Sequence, residues 1–427
     1  MIKKLVLPLL VISNVTYASP IDSLVKDVEQ DVIEWRRHFH QHPELSNREF
    51  ETAKTIALEL NKLGLDVQTD VAHTGVVAIL DSGKPGPVVA LRADIDGLPV
   101  TETSNLPFAS KVTTDYNGAQ TGVMHACGHD THIAMLLGTA KVLTANKDKL
   151  TGKVKFIFQP AEEGAPIGEE GGAKLMVKEG VMKSPDVDVI FGLHVWANLD
   201  VGKISYREGG TLAAVDQFKI LVKGKQAHGA YPWKSVDPIV TSAQIIMGLQ
   251  TIVSRELKLI DDAGVVTVGS IHGGVRSNII PNEVEIIGTL RSLNPEMREQ
   301  IREAVTRKAT TIAASMNATV EVTVPFGVNY PVTYNKPELM REMLPGLQAA
   351  LGHENVVQAK AVTGAEDFSF YQEQVPGLFL GVGGKPLDVK ASDAPAHHTP
   401  EFFVDESGMQ TGIKAMVGLT MDYMAKH

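Results

Sequence analysis

Four separate segments carry residue types that bind metal ions. In Met124-His125-Ala126-Cys127-Gly128-His129-Asp130, Cys127 and His129 lie two apart. In an extended segment such side chains share one face and can meet one ion. A thiolate beside an imidazole suits a borderline-soft transition metal. Gln159-Pro160-Ala161-Glu162-Glu163-Gly164 follows a strand-like apolar run. Its adjacent carboxylates point in different directions, so one can hold a metal while its neighbour stays free as a general base. Gly192-Leu193-His194 ends another such run, and His397-His398-Thr399-Pro400 places two imidazoles near the C-terminus. Each signal alone is common in ordinary loops. Together, several at the C-terminal ends of strands mark the usual position of a site in an open α/β sheet.

Other polar groups could support such a centre. Arg92-Ala93-Asp94-Ile95-Asp96 follows a strand and offers two carboxylates on one face. An aspartate there can orient a metal-bound histidine or bridge ions. His228 in Lys225-Gln226-Ala227-His228, and Arg276 and Asn278 in Arg276-Ser277-Asn278, are polar groups on loops between strands and helices.

The elements that must position these residues are legible as patterns. Apolar spacing predicts a helix over 22–40, and Ser46-Asn47-Arg48-Glu49 fits a capping box for a second helix through Leu63. Strands are expected at 76–80, 88–91, 153–158 and 187–193, with a helix at 133–143. This alternation argues for an α/β layer with a largely buried sheet. The pattern then changes to polar–apolar alternation at Phe218, Ile220 and Val222. A helix is expected at 236–257, strands at 263–271 and 283–292, a helix at 295–314 and a strand at 318–324. This is the βαββαβ order of a ferredoxin-like unit covered on one face. The α/β pattern resumes with helices at 338–351 and 405–425 and strands at 355–360 and 377–382. The expected organisation is therefore a catalytic α/β domain of residues 19–208 and 326–427, interrupted by an inserted domain of residues 209–325.

Composition bounds the function. The chain has 427 residues, is 44% hydrophobic and 21% charged, and carries a formal charge of −10. It contains no Lys/Arg block, which argues against a nucleic-acid partner. Its single cysteine, Cys127, excludes an intramolecular disulfide framework. Met1 to Lys4 is a short basic segment, Leu5 to Val15 is mostly apolar, and Thr16-Tyr17-Ala18 approximates a cleavage site. Residues 1–18 therefore read as a signal peptide cleaved after Ala18, with export to a periplasm or beyond. The apolar run is shorter than the ~20 residues of a membrane span.

Taken in order, RADIDGLP (92–99), MHACGHD (124–130), QPAEEG (159–164), GLHV (192–195), RSNIIPNE (276–283), GAEDFS (364–369) and HHTPEF (397–402) resemble the aminoacylase/carboxypeptidase-type di-metal amidohydrolases. The branch most similar holds N-acyl-amino-acid amidohydrolases, hippurate hydrolases and auxin-conjugate hydrolases. The resemblance implies a catalytic α/β domain with a ferredoxin-like lid that often dimerises, and two divalent ions per subunit, whether zinc, manganese, cobalt or nickel. It implies Cys127, His129, Glu163, His194 and His398 as metal ligands, His398 being preferred to His397 by its place in the H-x-P motif. It further implies Glu162 as general base and Asp96 as an acid behind the ligands. His228 and Asn278 become lid residues that contact the substrate or its oxyanion, with Arg276 and the Gly364 loop beside the substrate. One departure lies within the family: many relatives carry His-x-Asp where this chain has Asp94-Ile95-Asp96, and Cys127 with His129 replaces part of that set.

The implied reaction is hydrolysis of an N-acyl amino acid. Glu162 would take a proton from a water held between the two ions and later deliver it to the leaving amine. A dipeptidase or carboxypeptidase of the same family is the alternative. An exported solute-binding protein, which closes on a small ligand without a metal, is the non-enzymatic one.

Overall fold

The computed structural model describes residues 20–427; the leader reading lies outside the described residues. The strands that matter to the site are β1 (Asp66–Val71), β2 (Gly75–Asp81), β3 (Val88–Asp94), β4 (Lys153–Gln159), β5 (Val189–Asp200), β6 (Ile204–Tyr206), β7 (Ala214–Lys223), β8 (Gly264–His272), β9 (Glu283–Ser292), β10 (Thr319–Thr323), β11 (Val356–Gln358) and β12 (Gly377–Lys385). The helices are α1 (Pro20–Lys26), α2 (Glu29–Gln41), α3 (Phe50–Lys62), α4 (His129–Ala145), α5 (Gly172–Lys178), α6 (Pro238–Thr251), α7 (Pro295–Ser315), α8 (Pro337–Leu351) and α9 (Met409–Lys426).

Two main sheets result. The larger runs β1-β2-β4-β3-β5-β12-β6-β11. Its centre is parallel, with β4, β3, β5 and β12 side by side; β1–β2, β2–β4 and β12–β6 pair antiparallel, and the outermost pair β6–β11 is again parallel. Side-chain alternation sorts the apolar residues between two layers. Val89, Leu91, Ala93, Val154, Phe156 and Phe158 pack into the core formed with α2, α3, α4, α8 and α9. Ala90, Ile157, Ile190 and Phe379 pack on the other face, against Ala173 and Met176 of α5 and against Phe368 and Tyr371. Burial on both faces explains why these strands read as continuous apolar runs.

The second sheet runs β8-β9-β7-β10, with residues 329–330 paired to β7. Only one of its faces is covered. Phe218, Ile220, Val222, Ile286 and Leu290 meet Ile245 and Leu249 of α6 and Ile301 and Val305 of α7. All its strands come from residues 214–330, whereas those of the larger sheet lie before 207 and after 355. The architecture is thus a mixed α/β sheet with helices on both faces, interrupted by a βαββαβ unit.

Three departures from the expected helices are informative. The single helix over 22–40 is two, α1 and α2, separated by a turn that keeps Val25, Val28 and Val32 all buried. The capping box at 46–49 does not form, because both of its polar residues are used elsewhere. Ser46 Oγ donates to Asp96 Oδ2 at 2.7 Å, and the Glu49 carboxylate accepts from Thr74 Oγ1 at 2.6 Å and from the Ala161 amide at 2.9 Å. Glu44 takes over the first amides of α3, those of Glu51 and Thr52. The helix over 236–257 ends at Thr251 and passes into a π turn, Ile252–Glu256, whose Glu256 is drawn to Arg307 and Lys308.

One buried ion cluster ties the second sheet to its helix. Asp216 on β7 accepts from Arg298 at 2.8 and 2.9 Å and from Arg302 on the next turn of α7. Removing one partner of such a cluster strands the others without counter-charge. Asp216→Ala should lower the stability of this unit by about 3 kcal/mol, read as a fall in its urea unfolding midpoint.

Candidate metal centre

The centre forms where the strand ends and the start of α4 converge. Gly128 precedes α4 with φ +89°, and a Cβ there would lie 2.4 Å from Val195 Cγ1. That conformation and contact both require glycine. The turn sends Cys127 and His129 to the same point. Ala161 (φ 52°) and His398 (φ 63°) are also left-handed. Such positions cost energy in non-glycine residues and are held by their surroundings. The turn at Ala161 aims Glu162 and Glu163 at one centre, with the Glu163 amide donating to Asp96 Oδ2 at 3.0 Å.

Five donors meet there. Cys127 Sγ lies 3.4 Å from His194 Nε2 and 3.3 Å from His398 Nε2. Glu163 Oε1 lies 3.1 Å from His398 Nε2 and 4.0 Å from His129 Nε2. Donors around one tetrahedral ion with bonds of about 2.0–2.3 Å stand about 3.5 Å apart, so these spacings fit. His129 Nε2 is moreover buried without a hydrogen-bond partner, 4.0 Å from Glu163 Oε1. An orphaned nitrogen facing a carboxylate across such a gap is what a cation would satisfy.

Neighbouring groups leave the Nε2 atoms free. His129 Nδ1 bonds the Asp96 carbonyl at 2.9 Å and lies 3.2 Å from its carboxylate. His194 Nδ1 donates to the Val195 carbonyl at 2.8 Å. These are the contacts that fix a ligand histidine's tautomer. His397 is arranged differently. Its Nε2 accepts from the Ala197 amide at 3.2 Å, so its Nδ1–H points at Cys127 Sγ, 3.6 Å away. The structure therefore brings His398 to the cluster as a free donor and His397 as a hydrogen-bond donor to the sulfur.

A second group of acids lies against the first. Arg92, wholly buried at the end of β3, reaches Asp94 Oδ2 at 2.7 Å and both Glu366 and Asp367 at 3.0 Å. Gln159 accepts from Arg92 and donates to Asp367. Asp94 also accepts from His132 Nδ1 at 2.5 Å and lies 3.8 Å from His129 Nε2. Carboxylate oxygens of Glu162, Glu366 and Asp367 all lie within 4.8 Å of one another, as do donor atoms of His129, Glu162 and Glu163. Glu162 thus joins the donor cluster to the acidic nest.

Electrostatics follow from this crowding. Burial, and then Glu366 and Glu163, push the Glu162 carboxyl well above its usual range. Burial and the neighbouring acids raise Glu366 to about 8 and Asp367 to about 6, with Arg92 opposing. Burial alone would lower His129, but Asp94 and Asp96 hold it at about 10. Burial and the carboxylates of Glu163 and Glu162 push the Cys127 thiol well up. The pocket is largely buried, open at His398, and over-supplied with negative charge, a setting suited to divalent cations.

Other expected residues sit elsewhere. His194 lies inside β5, which continues to Asp200 rather than ending at 193. His228 lies in the small ribbon formed by residues 227–228 and 279–280, Asn278 immediately precedes its second strand and Arg276 stands two residues earlier; all three are exposed. Among the described residues, no hydrogen bond or ion pair joins them to the cluster. Gly364 is exposed and its carbonyl accepts from the Ala213 amide at 2.8 Å; the inward-facing groups of its loop are Glu366 and Asp367. Roles for Arg92, His132, Glu366, Asp367 and Glu49 were missed. His132 carried a usable signal, standing one helical turn after His129.

Thiolate, imidazole and carboxylate donors around a buried glutamate define the class: a metal-assisted hydrolase site. The description Peptidase family M20/M25/M40 matches residues 90–422. Thermostable carboxypeptidase 2 of Saccharolobus solfataricus is 40% identical over 403 residues, covering 94% of this chain and 98% of the relative. IAA-amino acid hydrolase ILR1-like 2 of Arabidopsis thaliana is 36% identical over 398 residues, covering 92% and 86%. The crystal structure of the Bacillus subtilis YXEP protein, a dinuclear metal-binding peptidase of the M20 family, is 35% identical with TM-score 0.77, covering 94% of this chain and 100% of that one. The chain belongs to the M20/M25/M40 peptidase family, whose members are hydrolytic enzymes acting on amides.

Two predictions follow from the geometry. At pH 7, His129 and Cys127 hold protons that a cation must displace, so adding zinc to metal-free protein should release about two protons per subunit to a pH indicator. Asp96→Asn should weaken metal affinity about 10–100-fold in a chelator competition, because Asp96 orients the His129 ring through its Nδ1.

Proposed function

We propose that the protein hydrolyses the amide bond of N-acyl amino acids, using two divalent cations per subunit held by Cys127, His129, Glu163, His194 and His398. The observation that carries this reading is Glu162, buried between the donor cluster and the acidic nest with a raised proton affinity. When bound, the cations would polarise the scissile carbonyl and make the attacking water more acidic. The remaining steps belong to the chain. Glu162 takes the water's proton as the carbon is attacked and returns it to the departing amine nitrogen. Asp96 and the Val195 carbonyl hold the imidazoles of His129 and His194 in place. The Tyr330 hydroxyl, donating to the Glu162 carbonyl at 3.1 Å, links the second sheet to this segment. In this reading His228 and Asn278 swing in with the lid to donate to the developing oxyanion.

The inserted unit offers a place for a second copy. β8 is an unpaired edge of its sheet, and Ile239, Val240 and Met247 on α6 are exposed. Native proteins seldom leave a long apolar edge uncovered. Homodimerisation through this unit and export by residues 1–18 both belong to the proposal. The carboxypeptidase reading is kept because two of the relatives bear that name.

The test is direct. Glu162→Gln should cut turnover of N-acetylmethionine or hippurate at least about a thousandfold while metal content stays that of the wild type. Near-normal turnover in this variant would remove Glu162 as the base. Release of amine only from peptides, and never from N-acyl amino acids, would favour the carboxypeptidase.

A further inference from the structure

A cavity of about 570 Å³ opens beside the centre, on its His397 side. Trp196, Tyr206, Leu212, Val362, Phe379 and Ala394 supply much of its wall. It adjoins the ligands directly. Trp196 stacks on the His194 ring with centroids 4.8 Å apart, and His397, which lines the cavity, faces Cys127 Sγ. The mechanism above does not use this space. Its chemistry is one-sided: among the described residues no aspartate or glutamate lines it, and Lys360 is the one permanent charge that does.

The direction of the reaction says which part of a substrate faces it. Glu162 must reach the leaving nitrogen to protonate it, and Glu162 sits with His129, Glu366 and Asp367. His397 lies across the cluster, against Cys127 and Ala197. With the nitrogen held toward Glu162, the substituent on the other side of the scissile carbonyl points toward His397 and the cavity. We infer that this cavity is the acyl-group site and that it selects uncharged, bulky acyl groups, aromatic ones in particular, over peptides with a free amino terminus. This rests on the N-acyl-amino-acid reading and narrows it. The cavity falls within the roughly 300–1,000 Å³ of ordinary small-molecule sites, more than an acetyl group fills. A free dipeptide would bring an ammonium into the same space. With no carboxylate to meet it, that charge loses its hydration without compensation. The aromatic wall instead rewards burial of a flat apolar ring.

The experiment compares kcat/KM for N-acetylmethionine, N-benzoylmethionine and phenylalanylmethionine on the metal-loaded full-length protein. In the wild type, benzoyl should exceed acetyl by at least about tenfold and the dipeptide by about a hundredfold. Ala394→Trp, which fills the cavity from its loop, should lower the benzoyl-to-acetyl ratio at least about tenfold. Thr211→Asp, which adds a carboxylate to the wall, should raise the dipeptide-to-benzoyl ratio by a similar factor. Ratios unchanged in both variants, with native circular dichroism and acetyl turnover present, overturn the cavity assignment and leave the proposed function standing. No turnover of either N-acyl compound by the wild type overturns the proposed function and this inference with it.

Discussion

The site depends on one buried cation. The Arg92 guanidinium is fully removed from water and surrounded by Asp94, Glu366 and Asp367, with Gln159 completing its donors. A fork of donors in a fixed plane suits carboxylates better than a point charge does. Its one positive charge does not balance the acids around it, since Glu162, Glu163 and Asp96 are close by. Acids in such surplus, kept from water, either hold protons or gather further cations. Arg92 therefore fixes where the negative charge is concentrated, and that concentration makes the adjoining cluster a place for metal.

The fold supplies this concentration by bringing distant segments to the C-terminal ends of the central strands. Arg92 and Asp94 lie at the end of β3, and Gln159 lies beside Asp94 at the end of β4 in parallel register. Asp367 also accepts from the Ala173 amide at 2.7 Å, so the loop before β12 is clasped to α5. His132 reaches in from α4 and is held at its far nitrogen by the Val195 amide of β5. The packing that buries Phe156, Leu91 and Ile413 thus also sets the acids within hydrogen-bond reach. A sub-ångström shift between strands would disturb several charge pairs together, which ties the chemistry to the rigidity of the core.

What was legible in the sequence was local. Cys127 and His129 share a short string, as do Glu162 and Glu163, and their side chains do meet in space. The second sheet was legible because its strands alternate, with Phe218, Ile220 and Val222 on the covered side. Residues 92 and 366 are far apart in the chain, and neither carries a local mark of burial. A strand-end arginine reads like any surface arginine until a partner loop covers it. The failed capping box at Ser46 and Glu49 shows the converse. Residues suited to capping are equally suited to holding Asp96 and the Ala161 turn, and the site took them. His194 was placed at a strand end because the apolar run stops at Leu193, yet pairing with β12 carries β5 on past it.

The two sides of the cluster differ in a way that gives the reaction a direction. Toward Arg92 lie Glu162, Glu366 and Asp367, whose proton affinity is raised. That is where a nitrogen gaining a proton is best accommodated. Toward His397 the walls are largely apolar and aromatic, and among the described residues they contain no acid. A neutral group placed there gives up little hydration, while a charged one gives up much. A scissile amide lying across the cluster would therefore be drawn into one orientation, its basic leaving group facing the proton source and its neutral half facing away. The lone cysteine stands at this divide: His397 donates to its sulfur from the apolar side while the carboxylates face it from the other. Proton affinity on one flank and absence of carboxylates on the other thus act together to order the bond before it is cut.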